Sequence, residues 1–179
     1  MKMLLSEAIK GEEFIILDIE ARDKREVIEK LVEKLVESKL VKDKEKVISA
    51  IMQREEIEST GIGGGIAIPH ARCEEVDDVI IVFARSIKGV DFEALDGKPV
   101  HLIFLILAPQ KARKEYLQAV AKVARLLKSK VMKKALLNAK SVEDIIKVIA
   151  DFDGIAPEEV KVKMKEGRIV YKNNKKEKS

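Results

Sequence analysis

Two long apolar runs constrain the fold of this chain more than any other feature. The first covers Val79 to Ala84 and has no polar side chain, and the second covers Val100 to Ala108 and is closed by Pro109. Apolar runs of this length and β-branched content are typical of strands that are buried on both faces. We therefore expect both runs to be strands inside a layered domain.

Amphipathic segments surround these two strands. Apolar residues recur there at helical spacing, with charged residues on the opposite face. This mixture predicts an α/β or α+β domain that ends near Asp153 and leaves the strand order open. Lys88-Gly89 and Asp96-Gly97 indicate turns. Helices are predicted over Leu4 to Lys10, Arg113 to Lys130 and Lys133 to Asn138. Three more are predicted to begin after Asp23 (with Glu26 as its cap partner), after Asp43 and after Ser141. A further strand is predicted at Phe14 to Ile19.

The character of the chain changes after Gly154. Val160 to Met164 and Arg168 to Tyr171 alternate in polarity around a Glu-Gly pair, as in a β-hairpin. Residues 172–179 are polar, and we expect them to be disordered. The sequence thus predicts a domain over residues 1–153, followed by an extension over residues 154–179 that consists of a hairpin and a basic tail.

Composition limits the classes of function. The net charge of +4 is small, and the basic residues interleave with acidic ones, which argues against a nucleic-acid face and suits acidic or phosphate-bearing partners equally well. The single cysteine, Cys73, fits a reducing compartment. No segment has the form of a signal peptide or a membrane span, so we expect a cytoplasmic protein. The abundance of Lys and Glu suits a protein from a hot environment.

A glycine-rich segment leads to the candidate site. Four of the nine glycines, Gly61, Gly63, Gly64 and Gly65, lie within five residues. Glycine allows tight bends and lets a ligand approach backbone N–H groups. The next residues, 66–68, are predicted to form a buried strand that Pro69 ends.

His70 is therefore expected at a strand end, beside backbone donors and with Arg54 and Arg72 as possible charge partners. A neutral imidazole, with an ordinary pKa of about 6.5, is a good nucleophile at cellular pH. A phosphoryl group on its ring would be labile and would need mainly backbone donors and a cation around it. The context favours a histidine that does chemistry on an anion.

Other chemistries fit the sequence poorly. A nucleotide-binding P-loop needs Gly-Lys-Ser/Thr, but Ile66 follows Gly65. A dinucleotide fingerprint needs strand, loop and helix in that order, and here a helix precedes the loop. Two histidines and one cysteine do not suggest a metal site. We interpret His101 as a satisfied strand or core residue and Cys73 as a bystander, so neither a metal nor a cofactor is expected.

The glycine-to-histidine segment resembles the enzyme IIA domains of the bacterial phosphotransferase system, in their fructose/mannitol and nitrogen-regulatory class. The resemblance extends from Met1 to about Asp153, and the segment after Gly154 lies outside the family pattern. It is carried by Arg54-Glu55-Glu56, Ser59 to His70, Gly89 to Phe92, Asp96 to Val100, Leu102 to Pro109 and Leu136 to Ile149.

The resemblance implies a fold and a function. The fold would be a mixed sheet flanked by helices. His70 would carry phosphate on Nε2, taking it from the histidine phosphocarrier protein HPr or a paralogue and passing it to a cysteine of a IIB domain. Arg54 would lie beside the phosphoryl group. The remaining stabilising residues would be Thr60, Gly61, Gly63, Gly64, Gly65 and Tyr116.

Tyr116 marks a departure from the family. It stands where the family has a second histidine that hydrogen-bonds in the phosphoryl site, although tyrosine can still donate one O–H hydrogen bond. Two hypotheses follow: a working phosphocarrier, or a regulatory module that docks on a partner with weak or no phosphotransfer. Nucleic-acid binding through the basic tail is a third, weaker hypothesis. The sequence names no sugar and leaves the oligomeric state open.

Overall fold

A computed structural model describes residues 3–154 and the backbone of residues 162–165 and 168–171. Short 3₁₀ turns cover Glu12–Phe14 and Gln110–Ala112. The helices are α1 Leu5–Ala8, α2 Lys24–Glu37, α3 Lys44–Ile57, α4 Arg113–Lys128, α5 Lys130–Asn138 and α6 Val142–Phe152. The strands are β1 Ile15–Ile16, β2 Gly61–Gly63, β3 Ile66–Ala67, β4 His70–Arg72, β5 Ile80–Val90, β6 Val100–Ala108, β7 Val162–Lys165 and β8 Arg168–Tyr171.

Strand β6 lies at the centre of a mixed, six-stranded sheet. On one side it pairs antiparallel with β5, which pairs in parallel with β1. On its other side it pairs in parallel with two short strands in succession, β3 and then β4, and β2 pairs antiparallel with β3. The mixed sheet flanked by helices is confirmed.

The two apolar runs form the core, as predicted. Residues 81–84 of β5 and 102–108 of β6 have essentially no exposed surface. Phe83 and Phe104 lie opposite each other on the paired strands, with ring centroids 5.0 Å apart in an edge-on arrangement. Burial on both faces requires every backbone polar group of β6 to be paired, and the strands on its two sides provide those hydrogen bonds.

The predicted helix starts after Asp23, Asp43 and Ser141 are confirmed. Each of these side chains accepts a hydrogen bond from the backbone N–H three residues later, at 2.9, 3.2 and 3.1 Å. A fourth cap was missed. Ser129 accepts from the N–H of Met132 at 3.3 Å, so α5 begins at Lys130 rather than at Lys133.

Three local predictions need correction. The strand expected at Phe14 to Ile19 is limited to Ile15–Ile16, because a 3₁₀ turn occupies the residues before it. Lys88-Gly89 is not a turn between strands, because β5 continues to Val90 through a register shift in which Gly89 has φ +87°. The strand before Pro69 does end, but pairing with β6 resumes at His70, so His70 opens a strand.

At the end of the chain, β7 and β8 pair antiparallel, with Val162 opposite Tyr171, which confirms the predicted hairpin. The predicted disordered segment, residues 172–179, lies outside the described residues.

Within the described part of the chain, no helix is long and apolar enough to cross a membrane. Asp96-Gly97 forms the predicted turn, closed by a bond from the Gly97 N–H to the Ala94 carbonyl at 2.9 Å.

Arg85 joins the sheet to the end of α5. It is 7% exposed, and its Nε donates to the Leu17 carbonyl at 3.0 Å. Its Nη1 donates to the carbonyls of Leu136 and Leu137, at 3.0 and 3.3 Å, and to that of Ala139. A cation at a helix C-terminus satisfies carbonyls that have no partner within the helix.

We expect Arg85→Leu to lower the free energy of unfolding by about 3 kcal/mol, because it leaves several buried carbonyls without a donor. Urea unfolding followed by circular dichroism measures the change. Arg25→Leu is the matched control, since Arg25 is exposed on α2, and its effect should be much smaller. Equal effects of the two substitutions would contradict the assignment.

Candidate functional site

His70 owes its position to the break between β3 and β4. Pro69 has no N–H, but its carbonyl accepts a hydrogen bond from the N–H of Ile106 at 2.9 Å, so the chain stays attached to β6 across the break. His70 then lies opposite Ile106 and is half-buried. Arg72 is two residues further along β4, so its side chain leaves the same face of the sheet.

One hydrogen bond determines which nitrogen of His70 is free. Its Nδ1 lies 2.6 Å from the backbone carbonyl oxygen of Ile68. A carbonyl can only accept, so Nδ1 carries the proton and donates it. In the neutral ring Nε2 therefore holds an unprotonated lone pair, and it is the nucleophilic nitrogen.

The surroundings of His70 favour the neutral ring. Burial lowers the pKa of the imidazole below its ordinary 6.5, and the positive charge of Arg54 lowers it further. The Ile68 carbonyl and the negative charge of Glu55 raise the pKa, but they do not outweigh burial. At neutral pH the ring is therefore uncharged and able to attack an electrophile.

Tyr116, in the first turn of α4, lies next to His70. Its ring centroid is 5.7 Å from that of His70, with 54° between the ring planes. The guanidinium carbon of Arg72 lies 5.9 Å from the centre of the same ring. Burial raises the pKa of the phenol, while Arg54 and Arg72 lower it less strongly. Tyr116 thus keeps its proton and can donate one hydrogen bond.

Arg54 belongs to the last turn of α3. Its Nη1 donates to the carbonyl of Glu58 at 3.0 Å, and the side chain is half-exposed. Its charge acts on both His70 and Tyr116, so the three groups share one environment. The structure therefore brings together His70, Arg54 and Tyr116 from three separate elements, and it adds Arg72 to them.

Thr60 is close to the site but fully occupied. It is 3% exposed, and both its N–H and its hydroxyl donate to the carboxylate of Glu55. Its carbonyl accepts from the N–H of Ile68 at 3.0 Å. Glu55 in turn pairs with Lys24, a contact that our reading of the sequence missed, because no local signal connects the first turn of α2 to the last turns of α3.

The glycine turn lies further away. Gly63, Gly64 and Gly65 all have positive φ and reverse the chain between β2 and β3. The N–H of Gly64 donates to Asp96 at 3.1 Å, and the carbonyl of Gly65 accepts from the N–H of His101 at 2.8 Å.

The register of the sheet gives the separation between this turn and His70. Ile66 lies opposite Leu102, whereas His70 lies opposite Ile106, four residues along β6. At about 3.3 Å per residue, the turn is about 13 Å or more from His70. The structure does not bring Gly63, Gly64 and Gly65 to the imidazole, and Gly61 lies between them and the site, opposite Ala67.

The other two candidate residues behave as expected. Nδ1 of His101 is 2.8 Å from the carbonyl of Ser86, so this histidine is satisfied within the sheet. Burial raises the pKa of the Cys73 thiol, which keeps it protonated and poorly nucleophilic. Among the residues that the structure describes, no three His, Cys, Asp or Glu side chains are grouped to hold a metal ion.

Comparison with known proteins identifies the family of this chain. Residues 8–152 match the family model of the phosphoenolpyruvate-dependent sugar phosphotransferase system, EIIA 2. The chain is 42% identical over 139 residues to the fructose-specific EIIABC component of Bacillus subtilis (strain 168), a match that covers 78% of this chain and 22% of that protein. The chain thus spans less than a quarter of that relative.

Two solved structures are similar in fold. Nitrogen regulatory protein IIA-Ntr from Neisseria meningitidis has a TM-score of 0.75 and 32% identity, covering 81% of this chain and 98% of that one. Enzyme IIA-mannitol from Escherichia coli, solved in complex with phosphorylated enzyme IIB-mannitol, has a TM-score of 0.67 and 25% identity, covering 79% and 96%.

The fold and the site thus define a IIA-type phosphotransferase-system domain. The chain belongs to the EIIA 2 family of the phosphoenolpyruvate-dependent sugar phosphotransferase system. Its relatives include fructose-specific, mannitol-specific and nitrogen-regulatory proteins.

We expect nuclear magnetic resonance titration of His70 to give a pKa below 6.5, because burial disfavours the charged ring. Arg54→Gln should raise this pKa, since it removes a positive charge from beside the ring. Arg25→Gln, on the exposed face of α2, should leave it unchanged. A pKa at or above 6.5, or an unaltered value in Arg54→Gln, would contradict the described environment.

Proposed function

We propose that this protein is a phosphoryl carrier of the phosphotransferase system. His70 accepts a phosphoryl group from a histidine phosphocarrier protein of the HPr type and passes it to a cysteine of a IIB domain. The observation that carries the proposal is the state of His70. Its Nδ1 is committed to the Ile68 carbonyl, which leaves a lone pair on Nε2; the Tyr116 ring is next to the imidazole, Arg72 lies against that ring, and the charge of Arg54 acts on the imidazole.

In the first step the Nε2 lone pair attacks the phosphorus of the donor's phosphohistidine. The Nε2–P bond forms, and the donor's P–N bond breaks with its electron pair returning to the donor nitrogen. The proton on Nδ1 stays in place, so the His70 ring becomes positively charged. In the second step a IIB thiolate attacks the phosphorus, the Nε2–P bond breaks, its electron pair returns to Nε2, and the ring is neutral again.

The neighbouring residues have distinct roles in this proposal. Phosphoryl transfer demands little covalent chemistry from the protein and depends mainly on positioning and charge stabilisation. Arg54 and Arg72 supply positive charge to the equatorial oxygens, and the Tyr116 hydroxyl supplies one hydrogen bond. Thr60 acts indirectly, because its donors are committed to Glu55. The distance of the glycine turn leaves Gly63, Gly64 and Gly65 out of direct contact, in a role that shapes the β2–β3 turn.

A regulatory module with weak phosphotransfer is the second candidate. The likeness to nitrogen regulatory protein IIA-Ntr favours it. So does the inference from the family resemblance that Tyr116 replaces a second histidine of the phosphoryl site. In this version the same surface docks on a regulatory target, and phosphorylation of His70 is slow or absent. The complete set of Arg54, Arg72 and a correctly oriented His70 supports the carrier more strongly.

The remaining expectations belong to the same proposal. We assign residues 1–153 to the IIA-type domain and residues 154–179 to an extension, and we place the protein in the cytoplasm with its carrier partners. An origin in a hot environment stays a prediction, as does the absence of a nucleic-acid partner.

We expect the full chain to gain an acid-labile phosphate when it is incubated with phosphoenolpyruvate and the upstream carrier proteins. His70→Gln should abolish the label, because it removes the nucleophile. His101→Gln is the matched control and should retain the label, since His101 lies in the sheet away from the site. Labelling that survives in His70→Gln would reject His70 as the acceptor, and an unaltered protein that gains no label from either the carrier proteins or phosphoramidate would reject the carrier.

Phosphoramidate, a small phosphoryl donor that needs no protein docking, separates the two candidates. A regulatory module with a defective site should react slowly with both donors. A carrier for which the tested carrier protein is not the natural donor should gain phosphate from phosphoramidate and not from that protein. Mass spectrometry of the intact protein measures both outcomes.

Tyr116→Phe should slow phosphoryl acceptance about 10- to 100-fold, because it removes one hydrogen-bond donor from the transition state and keeps the ring. Tyr116→His should stay within about tenfold of the unaltered protein, because an imidazole N–H also donates. A rate above that of the unaltered protein would identify tyrosine as a compromise. Rapid-quench measurement of phosphoprotein gives these rates, and an unchanged rate in Tyr116→Phe would remove the hydroxyl from the mechanism.

A further inference from the structure

A buried charge pair is connected to Nδ1 of His70 through Thr60 and Ile68. Nζ of Lys24 is 3.0 Å from Oε2 of Glu55, and these side chains are only 9% and 2% exposed. Burying two charges is costly unless the geometry is good and the remaining polar atoms are satisfied. Apolar residues of similar size often replace such pairs without loss of stability, but here Glu55 also accepts the hydrogen bonds of buried Thr60, so its contacts extend towards the segment that holds His70.

A series of hydrogen bonds leads from Glu55 to His70. The carboxylate of Glu55 accepts from both the N–H and the hydroxyl of Thr60. The carbonyl of Thr60 accepts from the N–H of Ile68 at 3.0 Å, and the carbonyl of Ile68 accepts from Nδ1 of His70 at 2.6 Å. The N–H and C=O groups used at Thr60 and at Ile68 belong to different peptide groups, so these contacts act by fixing the positions of the two backbone segments.

We propose that Glu55 is a positioning residue for His70, with Lys24 as its counter-ion. This inference rests on the proposed function, since it concerns the same imidazole. Through Thr60 and the backbone of Ile68, Glu55 orients the Nδ1–H bond, keeps Nε2 free, and contributes a negative charge that favours the positive ring formed when Nε2 is phosphorylated.

The electrostatics of the site agree with this role. Glu55 raises the pKa of His70, in opposition to burial and to Arg54, so its charge is felt at the ring. Arg54 and Glu55 are consecutive residues of α3 with opposite tasks: the cation favours the phosphoryl oxygens, and the anion favours the protonated ring that carries them. A ring that keeps its Nδ1 proton is also the better leaving group in the second transfer.

Lys24 is held on the far side of Glu55. Its Nζ is 3.4 Å from the hydroxyl of Ser59, 3.5 Å from a carboxylate oxygen of Glu93, and 5.2 Å from the centre of the Phe92 ring. These contacts tie the start of α2 to two segments, the one that follows α3 (Ser59) and the one that follows β5 (Phe92 and Glu93). Lys24 therefore balances the charge of Glu55 without approaching His70.

The test compares two buried carboxylates that have the same kind of partners. Asp153 accepts from the N–H groups of Leu5 and Ser6 and from the hydroxyl of Ser6, at 2.9, 3.0 and 2.6 Å. It is 7% exposed and joins α6 to α1. Asp153→Asn therefore replaces a buried carboxylate by an amide, as Glu55→Gln does, but at a position away from the site. Because Glu55→Gln alone leaves Lys24 unpaired, the double variant Lys24→Met/Glu55→Gln is tested beside it.

Nitrogen-15 shifts of the His70 ring, measured in the full chain, report the tautomer directly and need no phosphoryl donor. We expect the double variant to lose the pure Nδ1–H signature and to show a lower His70 pKa, since the raising effect of Glu55 is gone. Phosphoryl acceptance should fall about tenfold, because small misplacements of a reacting group are costly. Asp153→Asn should change neither quantity, whatever it does to thermal stability.

Two results would overturn the inference. One is a folded double variant whose His70 nitrogen shifts and acceptance rate equal those of the unaltered protein. The other is Asp153→Asn altering both readouts as much as the double variant does, which would indicate a general loss of stability. If the unaltered protein accepts no phosphoryl group, the proposed function fails, while the nitrogen shifts still decide whether Glu55 positions His70.

Discussion

The pairing of β6 on both of its edges is the constraint on which the structure depends. Its side chains are buried on both faces, so its N–H and C=O groups have no access to water and must all be bonded. One edge is satisfied by the long strand β5. The other is satisfied by two short strands with Pro69 between them, and His70 occupies the point where pairing resumes. The imidazole of His70 is thus attached to a strand whose residues 102–108 are completely buried.

Charges of opposite sign act on that ring. Burial and Arg54 favour the neutral form of the ring, which in the proposed carrier attacks phosphorus, whereas the Ile68 carbonyl and Glu55 favour the charged form, which phosphorylation of Nε2 would produce. A carrier must both accept and release its cargo, so strong stabilisation of either state alone would slow one of the two transfers. The opposing influences on the His70 pKa are therefore compatible with both steps of the proposed transfer.

Patterns that are local in the sequence predicted much of this fold. The two apolar runs became β5 and β6, and three predicted caps hold the starts of α2, α3 and α6. The errors occur where tertiary contacts override a local signal. Gly89 suggested a turn, but a Cβ there would lie 2.7 Å from Cβ of Pro99, so the glycine serves the close approach of β5 to the chain before β6. Likewise, the turn formed by Gly63, Gly64 and Gly65 is close to His70 in sequence, but the extended residues 66–69 separate it from the imidazole ring.

The sequence by itself determined that a histidine follows a glycine-rich segment and a proline, and it predicted a nucleophilic role for that histidine, because these signals lie within a few residues of one another. It also marked Arg54 and Tyr116, through the family resemblance. Only the tertiary structure decided that Nδ1 is bonded and Nε2 free, that Arg72 lies over the ring of Tyr116, and that Lys24 and Glu55 are buried together. These facts depend on the packing of α2, α3 and α4 around one sheet, and the spacing of residues along a single chain carries no record of such packing.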